Sequence, residues 1–221
     1  MQRILEPELM DDEEQAKCYA EADFGASNSR FMTLFKERFP EFSSGLILDL
    51  GCGPGDIPLR FVRRYSEVTV HGVDGSGPML RYAQNALAHA PDLRFRVRFV
   101  QGTLPDAVLP WHQYDAIVSN SLLHHLHRPE TLWSTLTELG RPGAIVCIMD
   151  LRRPRSEEQA RAIVEQYSGD EPELLKRDFF NSLLAAFTVD EVREQLATAG
   201  LELSVEACSD RHLLVWGYLP D

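Results

Sequence analysis

The sequence predicts an α/β fold: a mostly parallel sheet with helices packed on both faces. Three observations predict it. Short apolar runs alternate with longer helix-like stretches through the middle of the chain, the pattern that crossover connections between parallel strands impose. The first of these runs, Leu46–Leu50, opens directly into a glycine-rich loop, where such sheets commonly turn into a helix and leave backbone N–H groups free. Near the end, Leu203–Ala207 and Leu213–Tyr218 flank the short polar stretch Cys208–Arg211, which reads as a hairpin.

The elements follow in order. Residues 1–44 precede the first strand and read as helical around Asp12–Tyr19 and Arg30–Phe39. After the Leu46–Leu50 strand and its glycine loop, a helix is expected over roughly Pro58–Tyr65. The β-branched run Val68–Val73 then forms a strand closed by Asp74. Pro78–His89 is the next helix: Pro78 sits in a first turn that needs no N–H, and Met79, Tyr82, Ala83 and Ala86 share one face. Arg96–Val100 alternates polar and apolar as a third strand, and Tyr114–Asn120 and Ala144–Asp150 are the fourth and fifth. The helix Thr188–Ala199 is marked at both ends. Thr188 is placed to cap it, Glu191 stands three residues on as in a capping box, and Gly200 stops it. Residues 151–187 are too long for a simple connection and, with residues 1–44, are expected to cap a pocket.

Composition narrows the function. With 22 basic and 34 acidic side chains the formal charge is −12, which disfavours wrapping nucleic acid or lying on an anionic membrane. Only three of the basic residues are lysines and no basic run occurs, which again disfavours RNA. Cys18, Cys52, Cys147 and Cys208 are scattered without a CxxC pair, so neither a disulfide framework nor a zinc site is expected. The acidic N-terminal stretch lacks the apolar run of a signal peptide, and no window approaches ~18 apolar residues. The expectation is a cytoplasmic protein working on a small molecule, with no nucleic acid and no membrane as partner.

The most specific feature is Asp49-Leu-Gly51-Cys52-Gly53-Pro-Gly55, between a strand and a helix. A dinucleotide site wants Gly-x-Gly-x-x-Gly, and the third glycine would fall at Asp56, whose carboxylate repels a pyrophosphate. The run Leu48–Gly55 instead resembles the first motif of class I S-adenosylmethionine (AdoMet) dependent methyltransferases. The resemblance extends in order and spacing over roughly Leu46–Tyr218. It implies a seven-stranded Rossmann-like sheet, mostly parallel with an antiparallel last strand, in one domain over 1–221. Within it, 1–44 is a helical cap, 45–150 the cofactor-binding half, 151–187 a substrate-cap insertion, and 188–221 the C-terminal helix and hairpin.

The resemblance also assigns residues to the cofactor, S-adenosyl-L-methionine, which leaves as S-adenosyl-L-homocysteine. Asp49, Gly51, Cys52, Gly53 and Gly55 form the loop. Asp74 ends the second strand about 20 residues on, where an acidic side chain accepts from ribose hydroxyls. Gly75 and Met79 flank ribose and adenine, and Gly102, Thr103 and Leu104 meet the adenine edge. Thr103 stands where many relatives carry Asp. Asn120 and Ser121, followed by Leu122–His125, resemble the post-strand motif of small-molecule methyltransferases rather than the Asn-Pro-Pro-Tyr type.

Ligands of open α/β sheets bind beyond the carboxyl ends of the strands. His124 and His125 follow the fourth strand, and Asp150, Arg152 and Arg153 follow the fifth. Asp210, Arg211 and His212 join the same rim if the sixth strand runs parallel to these. Methyl transfer from a sulfonium needs a positioned nucleophile and removal of its proton. His124 and His125, then His212, are therefore the candidate catalytic residues, as base or as orienting group. Tyr19, Asp150, Arg152, Arg153, Asp210 and Arg211 are the candidate substrate residues, the arginines suiting an anionic acceptor. Phe24, Asn28 and Arg30 share the cap segment with Tyr19, and Arg30 is a candidate partner for the methionine carboxylate. Trp133, Phe179, Phe180 and Phe187 either line an aromatic acceptor pocket or belong to the core. Other readings stay open at this point. One histidine can be structural, Asp150 and Arg152 can pair, and His124, His125 and Asp150 can hold a metal, the weaker idea. A binding module without transfer, or an RNA or protein methyltransferase, is the alternative function. The acceptor atom and the oligomeric state are not readable.

Overall fold

In the computed structural model, which describes residues 1–220, seven strands form one sheet. They are β1 (Ser44–Leu50), β2 (Glu67–Asp74), β3 (Val97–Gln101), β4 (Tyr114–Asn120), β5 (Gly140–Leu151), β6 (Ser204–Ala207) and β7 (His212–Tyr218). Their order is β3-β2-β1-β4-β5-β7-β6. The first five pair in parallel, and β7 runs antiparallel to both β5 and β6. β6 therefore points the same way as β5, and His212 stands beside Leu151, so the hairpin turn does share the rim on which β1 and β4 end.

Alternation along the strands builds two cores. Ala116 and Val118 of β4 pack on one face with Phe31, Phe35, Phe39, Phe61 and Val62, whereas Ile117 packs on the other with Leu132, Trp133, Val192 and Leu196. The first face carries α2 (Gly25–Arg38) and α3 (Asp56–Arg64), and the second α5 (Glu130–Leu139) and α8 (Val189–Ala199). The cap on α8 forms as its sequence demands: the Glu191 N–H donates to Thr188 Oγ1 at 3.3 Å, the Thr188 N–H donates to the Glu191 carboxylate at 2.8 Å, and Gly200 adopts φ 70°. α4 (Gly77–Ala88) is capped by Ser76, whose Oγ accepts from the Met79 N–H at 3.2 Å.

Two segments differ from expectation. A helix not expected from the sequence, α5, follows the turn after β4, with Leu132, Trp133 and Leu136 spaced to bury one side of it. Residues 151–187 fold into α6 (Glu157–Ser168) and α7 (Glu173–Ala185), with a small core of their own around Ile163, Val164 and Leu183. Ahead of α1 (Glu13–Glu21), residues 1–12 form neither helix nor strand and cross the rim as an extended strap. The strap is tied at both ends. The Arg3 guanidinium donates to the carbonyls of Ala185, His124 and Leu126 at 2.5, 2.9 and 3.0 Å and lies 3.8 Å over the Phe187 ring. Farther along, Ser76 Oγ donates to the Met10 carbonyl at 2.7 Å.

Candidate active site

The glycine loop is pinned to the sheet before it meets any ligand. The N–H groups of Gly51 and Cys52 both donate to the Val73 carbonyl, at 2.9 and 3.0 Å. Gly53 takes φ 51°, a left-handed conformation that side chains resist, and a Cβ placed on it would meet nothing within 4 Å. Its N–H donates to Asp74 Oδ2 at 2.8 Å, and the Ser76 N–H donates to Asp74 Oδ1 at 2.8 Å. The carboxylate at the end of β2 is thus fixed by two backbone donors, with lone pairs to spare.

A cavity of about 580 Å³ opens beside this loop. Asp49, Gly51, Cys52, Gly53, Asp74, Gly75, Met79, Gly102, Thr103, Leu104, Asn120 and Ser121 all line it. Gly55 does not. It turns the chain into α3 at φ 86°, and a Cβ there would lie 2.7 Å from Phe99 and 3.0 Å from Ala83, so this glycine serves packing. Asp49 is 1% exposed and neither carboxylate oxygen has a hydrogen-bond partner. Burial, and then the Asp74 charge, hold its pKa well above the ordinary range. Asp74 is itself raised, first by burial, against the pull of its two backbone donors. Burial likewise pushes the Cys52 thiol up, which disfavours the thiolate.

Tyr19 of α1 and Asn28 of α2 bring the N-terminal segment to the cavity wall. Asn28 Nδ2 donates to Asp56 Oδ2 at 2.7 Å, and Asn120 Nδ2 donates to Asn28 Oδ1 at 3.0 Å, a chain linking α2, α3 and β4. Burial, with the charges of Asp74, Asp150 and Asp56, pushes the Tyr19 hydroxyl up to about 12. Ser121 is strained: its φ is 65°, although it is not glycine.

The histidines separate. His125, in the 3-10 turn Leu123–His125, lines the cavity. Its Nδ1 lies 3.3 Å from the Pro7 carbonyl and 3.2 Å from Glu6 Oε1. A carbonyl only accepts, so Nδ1 carries the proton and Nε2 is left available to the cavity. Burial, and then the neighbouring His124, lower its pKa to about 3, which keeps the ring neutral. His124 lies behind that wall, 3% exposed, with Nδ1 2.6 Å from Asp150 Oδ1. Burial opposes its charge, but Asp150 and Glu6 outweigh burial and raise its pKa.

The remaining predicted residues occupy the rim without lining the cavity. His212 is buried, its Nδ1 3.0 Å from Ser209 Oγ, and burial brings it down to about 4. Asp150 is consumed by His124 and by the Leu123 N–H, which donates to Oδ2 at 2.5 Å. Arg152 donates to the carbonyls of Ser209 and Asp210 at 3.5 and 2.9 Å. Arg153 is buried between the Ala186 carbonyl and Glu191. Arg211 stacks on Tyr167, whose hydroxyl donates to Asp210 at 2.7 Å. Among the described residues, Arg30 donates to the Cys208 carbonyl alone, Trp133 is core, and no residue of 151–187 lines the cavity. The guanidinium groups are spent on backbone carbonyls and ion pairs, which a pattern of charges cannot reveal.

Sequence reasoning missed the strap and the mouth. Glu8, Leu9 and Met10 line the cavity, as do His127, Arg128 and Thr131. The available signal was the density of imidazole in His124-His125-Leu-His127-Arg128, which asks for acidic partners. The strap supplies them: Glu6 sits against His124 and His125, and Glu8 Oε1 accepts from the His127 N–H at 2.7 Å.

Residues 47–143 match a family described as methyltransferase domain. An uncharacterized methyltransferase of Mycobacterium tuberculosis is 37% identical over 108 residues, 49% of this chain and 51% of that protein. A trans-aconitate 2-methyltransferase of Azoarcus sp. is 34% identical over 111 residues, 50% of this chain and 41% of that protein. The chain thus spans about half the length of the curated relatives it matches. A crystal structure of a SAM dependent methyltransferase from Aquifex aeolicus superposes with a TM-score of 0.70 at 19% identity, covering 94% of this chain and 98% of that one.

Proposed function

From the premise that residues 47–143 are a methyltransferase domain on the class I, Rossmann-like methyltransferase fold, we propose that this protein transfers a methyl group from AdoMet to a small-molecule acceptor. The observation that carries the reading is the Asp74 carboxylate, clamped by the Gly53 and Ser76 N–H groups at the cavity wall. Held in this way it is preorganised to accept from two vicinal ribose hydroxyls. The buried, unpartnered Asp49 carboxylate lines the same cavity and suits a cationic ligand, since a buried charge without a counter-ion is costly. AdoMet meets both demands, and it supplies an electrophilic methyl group on a sulfonium.

The chain's own residues then bind, orient and exclude water. The strap covers the cofactor side with Leu9 and Met10. Tyr19, kept protonated, is a hydrogen-bond donor from the α1 side. His125, neutral and with Nε2 unprotonated, orients the acceptor by accepting its hydrogen bond. A group with a pKa near 3 is a poor general base at neutral pH, so positioning is the role we assign it. Arg128 at the mouth pairs through Nε with Glu130 Oε1 at 2.9 Å, and its two terminal nitrogens give an anionic acceptor a place to pair. That the Azoarcus relative is named for trans-aconitate, a carboxylic acid, supports this choice.

The test is methyl-labelled AdoMet with the purified protein and a cell extract split into small molecules, protein and nucleic acid. Label is expected among the small molecules. Label in protein or RNA alone contradicts the acceptor class, and bound AdoMet with no label anywhere contradicts transfer.

A further inference from the structure

We propose that Glu6, His124 and His125 bind one divalent transition-metal ion, zinc foremost, which clasps the N-terminal strap to the turn after β4. The three donors are already gathered. Glu6 Oε1 lies 3.6 Å from His124 Nε2 and 3.2 Å from His125 Nδ1, and one donor atom from each of the three residues falls within 4.8 Å of the other two. Tetrahedral zinc with bonds of about 2.0–2.1 Å sets its ligand atoms roughly 3.3 Å apart, so little movement closes the site.

Two further observations point to a ligand. Glu6 Oε1 is buried without a hydrogen-bond partner, its side chain 9% exposed, while Ser182 Oγ donates to the other oxygen at 3.1 Å. At 3.6 Å the His124 nitrogen is too far to satisfy it as a hydrogen bond. Asp150 holds Nδ1 of His124 at 2.6 Å, and so leaves Nε2 as the ligating nitrogen. A carboxylate behind a metal-binding histidine sets its tautomer and direction in this way. Glu6 and Asp150 together offset the two charges of the ion. Two imidazoles and one carboxylate suit zinc, and the set leaves one position open.

The sequence grouped His124 and His125 with Asp150; the geometry replaces Asp150 by Glu6 as ligand and sets Asp150 behind His124. Glu6 belongs to the strap that delivers Glu8, Leu9 and Met10 to the cavity, so coordination fixes the strap in place. Coordination takes the Nδ1 lone pair of His125 and moves the ring proton to Nε2. The metal-bound chain therefore presents His125 to the acceptor as a donor, and the metal-free chain as an acceptor, of a hydrogen bond. Metal binding itself is measured without cofactor, so its failure is distinguishable from failure of the cavity reading.

The full chain, stripped with a chelator, is titrated with Zn²⁺ and with Co²⁺ in the absence of AdoMet. One equivalent is expected, with visible Co²⁺ absorption, a raised melting temperature and a strap protected from protease. Glu6→Gln and His125→Ala should each weaken the metal by about 100-fold or more, and Asp150→Asn by about 10- to 100-fold, with circular dichroism confirming that each variant is folded. A wild-type chain that binds no metal overturns the proposal. So does binding that survives in both folded ligand variants, which would place the ion on exposed histidines. Neither result touches AdoMet binding, which is measured separately.

Discussion

Nδ1 of His124 and Oδ1 of Asp150 lie 2.6 Å apart, with their side chains only 4% and 1% exposed. The pair joins the turn after β4 to the end of β5, and the second carboxylate oxygen accepts the Leu123 amide. Asp150→Ala leaves a buried imidazole and a backbone N–H without partners. It should destabilise the protein by about 3–5 kcal/mol, and Asp150→Asn, which keeps an acceptor for Leu123, by less. Urea unfolding measures both; a loss within the range of an exposed ion pair, about 1 kcal/mol, would show that the pair does not hold the rim together.

Asp74→Asn keeps the shape of the β2 end, removes its charge and leaves only one oxygen to accept from the Gly53 and Ser76 N–H groups. A hydrogen bond to a charged group contributes about 1.5–3 kcal/mol, so AdoMet affinity should fall about 10- to 100-fold. The melting temperature should fall with the loss of one backbone hydrogen bond, while the fold is kept by circular dichroism. Unchanged affinity in calorimetric titration would remove Asp74 from the cofactor site.

The pKa values of Asp49 and Asp74 are both raised, Asp49 strongly, and the sign of the pH dependence follows. In the proposed site AdoMet is held by the ionised carboxylates, so affinity should fall as pH drops through these raised values, above the range where an ordinary carboxylate titrates. Stability of the unliganded fold runs the other way. A carboxyl whose folded pKa is raised costs stability once ionised, and the cost is relieved as pH falls through the folded pKa toward the unfolded one. Asp49→Asn should therefore melt higher than wild type at neutral pH, converge with it in acid, and bind AdoMet more weakly. A variant that melts lower at neutral pH would contradict the reading of Asp49 as an uncompensated charge.

The strands were legible because burial writes directly into sequence. Tyr114–Asn120 is found with the boundaries its apolar run implies, and the Thr188/Glu191 box closes as local chemistry requires. The glycine loop, Asp74 and Asn120 were legible through the resemblance of their motifs to a known family, and each stands at the end of a strand, where it lines the cavity. The rim was not. Whether an arginine faces a ligand or a carbonyl depends on where a loop ends, and Arg152, Arg153 and Arg211 all found partners within the protein. The strap has neither helical nor strand periodicity, so nothing local announces that Glu6 reaches His124.

Arg128 and Arg152 make opposite predictions. Arg128 lines the mouth and its side chain is 80% exposed, so Arg128→Ala should raise KM for an anionic acceptor several-fold and leave AdoMet affinity intact. Arg152→Ala should leave both unchanged, because its guanidinium serves the Ser209–Asp210 turn. Steady-state kinetics with the acceptor identified by labelling decides between them. A KM effect at Arg152 alone would relocate the acceptor to the β5–β7 rim.

The most direct measurement is equilibrium dialysis of the wild-type protein against labelled AdoMet, with NADH run in parallel. Saturable binding of one AdoMet per chain is expected and none of NADH, whose pyrophosphate meets the Asp56 carboxylate at the head of α3. Binding of NADH in place of AdoMet, or of neither, would contradict the assignment of the cavity.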